Sequence, residues 1–268
     1  MQIPKRRLSR ISALHYAKLV FRSVLFLLSA AAYVVDRVRG TLDPFGSLGD
    51  RPAILAVVWI VFACEMVLRF FPSRFESMGC QKQFAVNFKP VAQPVRHQTE
   101  AQRRQPHSTV QVITVWLALN AVIGALYFLH VIDEGILLLI ALAYSICDMI
   151  CILFFCPFQT WFMKNKCCGS CRIYNWDYAM MFTPLVLIKS FYTWSLVALS
   201  LGLLAEWELL YRRHPERFSE TTNRSLSCVE CKEKLCHHKK SLQKFLAKQT
   251  NRLLPYLHHE KDPERTAE

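Results

Sequence analysis

Five continuous apolar segments decide what this chain can fold into. Each is near the length of about 20 residues that a helix needs to cross a bilayer, and none alternates as the strands of a membrane barrel do. Hydrophobic residues make up 53% of the 268-residue chain, and five apolar segments of this length cannot all be core helices of one small soluble domain. We therefore predict an all-α, multi-pass transmembrane helical bundle. The five segments are 19–35, 53–71, 110–132, 136–158 and 179–206.

Polar stretches divide the chain around these segments. A basic segment, 1–18, precedes a transmembrane domain, 19–210, and a polar tail, 211–268, follows it. The loop 72–109 is rich in glutamine and proline, which predicts a solvated loop with little core of its own. Only 133–135 separate the third and fourth segments, which predicts a tight helical hairpin.

The charge balance indicates a lipid partner. The formal net charge is +13, and together with the apolar content it favours cytoplasmic membrane loops and anionic lipid over nucleic acid. In the tail, Lys240, Lys244, Lys248 and Arg252 recur every four residues and form a basic stripe. This pattern predicts either an amphipathic helix on anionic lipid or a solvated charged helix.

Polar residues inside apolar segments are the first candidates for function. Glu65 and Arg69 are spaced i, i+4, with the acid first, which favours an ion pair within one helix. Asp148, Lys189 and Asn120 fall at one predicted depth, about 15 Å below the same membrane face. We predict that Asp148 and Lys189 form a structural salt bridge, and the alternative is a proton or ion relay in a small transporter.

Cysteines form two clusters, and each contains a C-x-x-C pair. That spacing lets two thiolates reach one ion, so two pairs can supply a tetrahedral zinc site. The tail cluster can also close a zinc site alone with its third cysteine and a histidine. The predicted metal ligands are Cys168, Cys171, Cys228, Cys231, Cys236 and His237.

The same cysteines permit redox chemistry. A C-x-x-C beside a lipid-soluble electron carrier suits a membrane thiol-disulfide or quinone-linked oxidoreductase. An iron–sulfur cluster is disfavoured because the ferredoxin spacing is absent. Cys147 and Cys151, inside the fourth segment, are interpreted as small packing residues.

One stretch carries a family resemblance. The motif FCPFQTWFMKNKCC…CRIYNWDYAMMFTP, with the later C-x-x-C-x4-C, resembles a group of uncharacterised bacterial multi-pass membrane proteins. The resemblance covers roughly the second half of the chain and implies no catalytic residue, because that group has no established activity. The chain also lacks the P-loop, dinucleotide, zinc-protease and serine-hydrolase motifs, so we expect a structural or regulatory membrane protein rather than an enzyme.

Topology depends on whether 179–206 crosses the membrane. The basic start of the chain predicts a cytoplasmic amino terminus in the cell membrane. Five full crossings give 14 Lys and Arg inside against 7 outside, whereas a re-entrant fifth segment gives 18 against 3. The charge rule and a zinc site shared by the two clusters favour the second arrangement, with a cytoplasmic tail, although segment length favours the first.

Overall fold

The computed structural model describes residues 10–39, 52–72, 78–91, 100–164 and 168–227. Within these ranges the chain is helical and contains no β-strand, and its single isolated bridge joins Pro90 to Asn223. The α-helices are α1 Arg10–Arg39, α2 Pro52–Phe70, α3 Met78–Gln81, α4 Glu100–Phe128, α5 Glu134–Leu153, α6 Asp177–Phe182 and α7 Phe191–Arg213.

Four helices have the length and apolar composition to cross a membrane. They are the parts of α1, α4, α5 and α7 that cover Ser12–Val35, Pro106–Phe128, Glu134–Leu153 and Phe191–Arg213. Large apolar side chains such as Val20, Leu27 and Leu28 point outward from α1, as lipid-facing residues do. The prediction of a multi-pass helical protein is confirmed in this form. The second predicted segment lies on α2, a 19-residue helix that is not among these four.

The predicted hairpin between the third and fourth segments is present. α4 ends at Phe128, and the Asp133 carboxylate caps α5 by accepting a hydrogen bond from the Ile136 backbone N–H at 2.9 Å. Arg37, near the end of α1, bonds the same carboxylate at 2.9 Å. We call this the hairpin end of the bundle. α5 ends at Leu153, earlier than predicted, and 158–163 form one turn of π-helix.

The fifth predicted segment is a broken helix. α6 is followed by a 3₁₀ turn, Thr183–Leu187, and extended backbone at Ile188 precedes α7. Pro184 fits the first turn of the 3₁₀ helix, where its missing N–H costs no hydrogen bond. Trp176, just before α6, donates a 2.9 Å hydrogen bond to Glu208 near the end of α7. The segment therefore leaves and returns to the same end of the bundle.

A polar cap covers the end opposite the hairpin. We define the cap as 78–91, 168–176 and 214–227. Gln83 is fully buried, donates to the Gly169 carbonyl at 2.8 Å and accepts from Asn175 at 2.8 Å. The prediction that 72–109 has little core of its own is therefore wrong for 78–91, because buried amide hydrogen bonds order this stretch.

Candidate functional site: an intramembrane charge network and a cysteine-lined cavity

Arg22 lies at the centre of a charge network between three helices. Its guanidinium is 2% exposed and bonds Asp148 of α5 at 3.1 Å and Glu65 of α2 at 2.9 Å. It also donates to the Ser145 carbonyl at 3.0 Å. Lys18 bonds the second Glu65 oxygen at 3.1 Å. A planar guanidinium with several donors suits such a buried, multiply bonded position.

The predicted pair of Glu65 and Arg69 within α2 does not form. Glu65 faces α1 and accepts a 2.8 Å hydrogen bond from the Tyr178 hydroxyl, whereas Arg69 bonds Asp177 of α6 at 2.6 Å. The Arg69 guanidinium also lies over the Tyr178 ring, 4.7 Å from its centroid. Each of the two residues therefore joins α2 to another helix instead of joining two turns of α2.

The predicted salt bridge of Asp148 and Lys189 is also wrong. Asp148 pairs with Arg22, and Lys189 is exposed in the break before α7, where it forms no ion pair with any described residue. The prediction assumed that 136–158 and 179–206 were straight helices. Because α5 ends at Leu153 and the helix predicted over 179–206 is broken, Asp148 and Lys189 do not lie at the same depth.

Lys189→Ala is expected to leave stability almost unchanged. The exposed ammonium forms no ion pair with a described residue, so its removal leaves no acid there without a partner. The free energy of unfolding should therefore change by about 0.5 kcal/mol or less. Unfolding in mixed micelles, followed by circular dichroism, measures the change. A loss of several kcal/mol would instead point to a buried partner for Lys189.

Asn120 stays outside the charge network. Its amide donates to the Trp116 carbonyl of its own helix at 2.9 Å, and its side-chain oxygen has no hydrogen-bond partner among the described residues. The predicted meeting of three polar side chains at one level is therefore replaced by Arg22 and its two acids.

Four cysteines line one cavity beside this network. The cavity has a volume of about 120 Å³ and lies between α4, α5, α6 and the cap. Its walls are largely aromatic and apolar, and Asp148 and Asp177 also border it. The cysteines are Cys147, Cys151, Cys156 and Cys171.

Two of these thiols are in contact. The Cys151 and Cys156 side chains are hydrogen-bonded to each other, and neither is in a disulfide. The Cys156 sulfur also accepts the Gln159 backbone N–H at 3.4 Å. The turn 158–163 therefore helps to hold the Cys156 sulfur beside Cys151, the arrangement that thiol exchange between them requires.

The predicted zinc ligands are only partly described. Cys171 is buried and lines the cavity, and Cys168 begins the turn Cys168–Ser170, although its side chain lies outside the described residues. The tail ligands Cys228, Cys231, Cys236 and His237, like the tail's basic stripe, also lie outside them. Across the described part of the chain, no three His, Cys, Asp or Glu side chains are placed to hold a metal ion.

A second, larger cavity adjoins the first. This groove between α4 and α7 has a volume of about 630 Å³ and shares Trp116 and Met180 with the cysteine cavity. Arg172 borders it and bonds Glu208 at 3.1 Å, and this hydrogen bond raises the pKa of the guanidinium above its ordinary value. The cap end of the groove is therefore bordered by a paired Arg172 and Glu208.

Sequence reasoning missed several of these residues. Arg22 was visible as the only charge within 19–35, but nothing in the spacing identified Glu65 and Asp148 as its partners. Asp177 and Tyr178 precede the predicted fifth segment, so the sequence places them in a loop outside the helices. Cys151 was interpreted as packing, because its contact with Cys156 depends on the chain turning after Leu153.

The fold and site together define a helical protein with four helices long and apolar enough to cross a membrane, an ion-paired interior and a thiol-lined cavity. Comparison with protein-family models, curated proteins and solved structures finds no match to this chain. The resemblance to bacterial multi-pass membrane proteins stays a prediction.

Proposed function

We propose that this protein is a membrane thiol-disulfide oxidoreductase whose active pair is Cys151 and Cys156. The observation that carries the proposal is the contact of these two thiols within a cavity lined by four cysteines. Two thiols that already touch can form and break one disulfide without large movement of the chain. Cys171, the second cysteine of a cap C-x-x-C, lines the same cavity and can exchange with the pair.

The cap end faces the cytoplasm in this proposal. The re-entrant path of 177–213 supports it, because α6 begins and α7 ends at the cap end. With that path the basic residues near segment ends are 18 on the cap side and 3 on the hairpin side. Positively charged loops stay cytoplasmic, so the cell membrane is the expected location, and cytoplasmic thiols are the expected electron donors.

Oxidation of the purified protein should produce a disulfide between Cys151 and Cys156. Treatment with diamide, alkylation and peptide mass spectrometry identify the bond, and titration against thiol buffers should be reversible within about −270 to −120 mV. Cys151→Ser should abolish the bond, whereas Cys64→Ser on α2 should not. A pair that stays reduced, or cross-links that join other cysteines equally, would contradict the proposal.

A zinc-bound cap is the second candidate function. The cap segment 214–227 ends immediately before Cys228, and Ser225 of that segment donates a 2.6 Å hydrogen bond to the Asn87 carbonyl. Ser170, beside Cys171, donates a 3.2 Å hydrogen bond to Glu220. The two C-x-x-C pairs are therefore attached to one cap, which supports a shared structural zinc site at Cys168, Cys171, Cys228 and Cys231.

Metal analysis separates the two candidates. A shared site should retain about one zinc per chain after purification without chelator, and Cys228→Ser with Cys231→Ser should remove it. The same change should leave the Cys151–Cys156 disulfide intact. Zinc that survives this double substitution would contradict the shared site. The transporter alternative has no matching support, because its two predicted charges do not meet.

A further inference from the structure

The groove between α4 and α7 opens toward the side where lipid would lie. Val110, Val186 and Leu201 line it and are each at least half exposed, so their apolar side chains border the bilayer rather than a packed core. Its 630 Å³ falls within the usual range of about 300–1,000 Å³ for small-molecule sites. An apolar molecule can therefore reach this groove from the membrane.

The groove and the cysteine cavity share two lining residues. Trp116 and Met180 line both spaces. The Trp116 ring lies 4.7 Å from Tyr144 and 6.3 Å from Phe158, centroid to centroid, and its N–H donates to Thr183 at 3.2 Å. Flat aromatic walls at this junction suit a flat ring that packs against them.

We propose that a lipid-soluble quinone enters through this groove and oxidises the dithiol of Cys151 and Cys156. The inference rests on the proposed thiol function and adds its electron acceptor. A quinone combines the three properties that the two cavities select: an apolar tail for the groove, a flat ring for the aromatic walls, and the capacity to take two electrons from thiols.

The reaction balances with the groups present. The Cys156 sulfur adds to the quinone ring as its proton passes to one quinone oxygen, and the Cys151 sulfur then attacks Cys156, which forms the S–S bond and breaks the sulfur–ring bond. The electron pair stays on the ring, and the two thiol protons go to the two quinone oxygens. One dithiol and one quinone become one disulfide and one hydroquinone, and thiol exchange with a cytoplasmic dithiol restores the pair.

The inference is tested with the full-length protein in lipid nanodiscs. The protein is reduced, the reductant is removed, and decyl-substituted benzoquinone is added as the probe. Absorbance should show one hydroquinone formed per chain, with the Cys151–Cys156 disulfide appearing at the same rate. Cys151→Ser should form no disulfide and should release no free hydroquinone, because Cys156 then stays bound to the ring.

A pair of matched variants tests the route. Ala179→Phe narrows the groove and should slow the reaction with the quinone by about tenfold or more, with oxidation by water-soluble diamide unchanged. Ala121→Phe adds the same ring to the exposed face of α4 and should react as the unmodified protein does. Equal rates for both variants would overturn the groove as the route.

The outcomes distinguish the quinone inference from the thiol-disulfide function on which it rests. If diamide forms the disulfide but the quinone does not, the groove holds a lipid chain or another apolar molecule, and the quinone inference is wrong while the thiol function stands. If neither oxidant forms the disulfide, both proposals are wrong.

Discussion

Arg22→Met should destabilise the protein by about 3–5 kcal/mol, the largest effect of any single substitution considered for this chain. Methionine fills most of the space of the arginine stem but provides no positive charge. Asp148 and Glu65 then lose a partner bonded at 3.1 Å and 2.9 Å, in surroundings where water cannot replace it. Lys18 compensates Glu65 only in part, because it bonds the other oxygen.

The cost should be largely recovered when the acids are neutralised as well. Arg22→Met combined with Asp148→Asn and Glu65→Gln removes the unpaired charges, so the triple variant should be more stable than Arg22→Met alone. Unfolding in mixed micelles gives the three free energies. A triple variant no more stable than the single one would show that lost packing, rather than stranded charge, causes the effect.

Arg37 offers the matched control. It bonds Asp133 at 2.9 Å, but its side chain is 65% exposed at the hairpin end. Arg37→Met should therefore cost about 1 kcal/mol or less, since exposed ion pairs contribute little. Similar losses of stability for Arg22→Met and Arg37→Met would contradict the argument that burial of the arginine determines the cost.

Apolar runs and turn residues allowed much of the fold to be predicted. A continuous run near 20 residues has few structural solutions, so α1, α4 and α5 lie close to their expected positions. The hairpin followed from the three residues, 133–135, that separate two apolar runs, and in the structure the Asp133 carboxylate caps α5 through the Ile136 N–H. These features depend on neighbours in sequence, which is why spacing identified them.

Partners between helices could not be predicted in the same way. A charge in an apolar run requires a partner, but hydropathy does not say which helix supplies it, so Asp148 was assigned to Lys189 rather than Arg22. The break after Leu187 changes the depth of every later residue on that segment. The Cys151–Cys156 contact likewise depends on where α5 ends, a boundary that an unbroken apolar run conceals.

The cap was missed because buried amides, beside a few apolar side chains, hold its segments together. Composition alone describes 72–109 as solvated. Gln83 within this stretch is nevertheless fully buried, and so is Asn223, which packs against it. A buried amide can hold two chain segments together through its donors and its acceptor at once. Such residues give no periodic signal, so their role is visible only in the folded chain.

Asn223→Ala should detach the cap segments from one another at a cost of about 2–4 kcal/mol. The Asn223 amide donates to the Lys82 carbonyl at 2.9 Å and to the Arg217 carbonyl at 2.8 Å, and its oxygen accepts from the Ser225 N–H at 3.0 Å. Alanine leaves these backbone groups without partners in a buried place. Hydrogen exchange should therefore quicken in 78–91 and 214–227 while α5 stays protected.

Asn120→Ala is the control for this effect, because it removes the same side chain from a site where the amide bonds only its own helix. That change should cost less than about 1 kcal/mol and leave exchange in the cap unaltered. If Asn223→Ala left the cap equally protected, the amide would not be what joins 78–91 to 214–227. The isolated bridge between Pro90 and Asn223 and the hydrogen bond from Ser225 to the Asn87 carbonyl would then hold the two segments together.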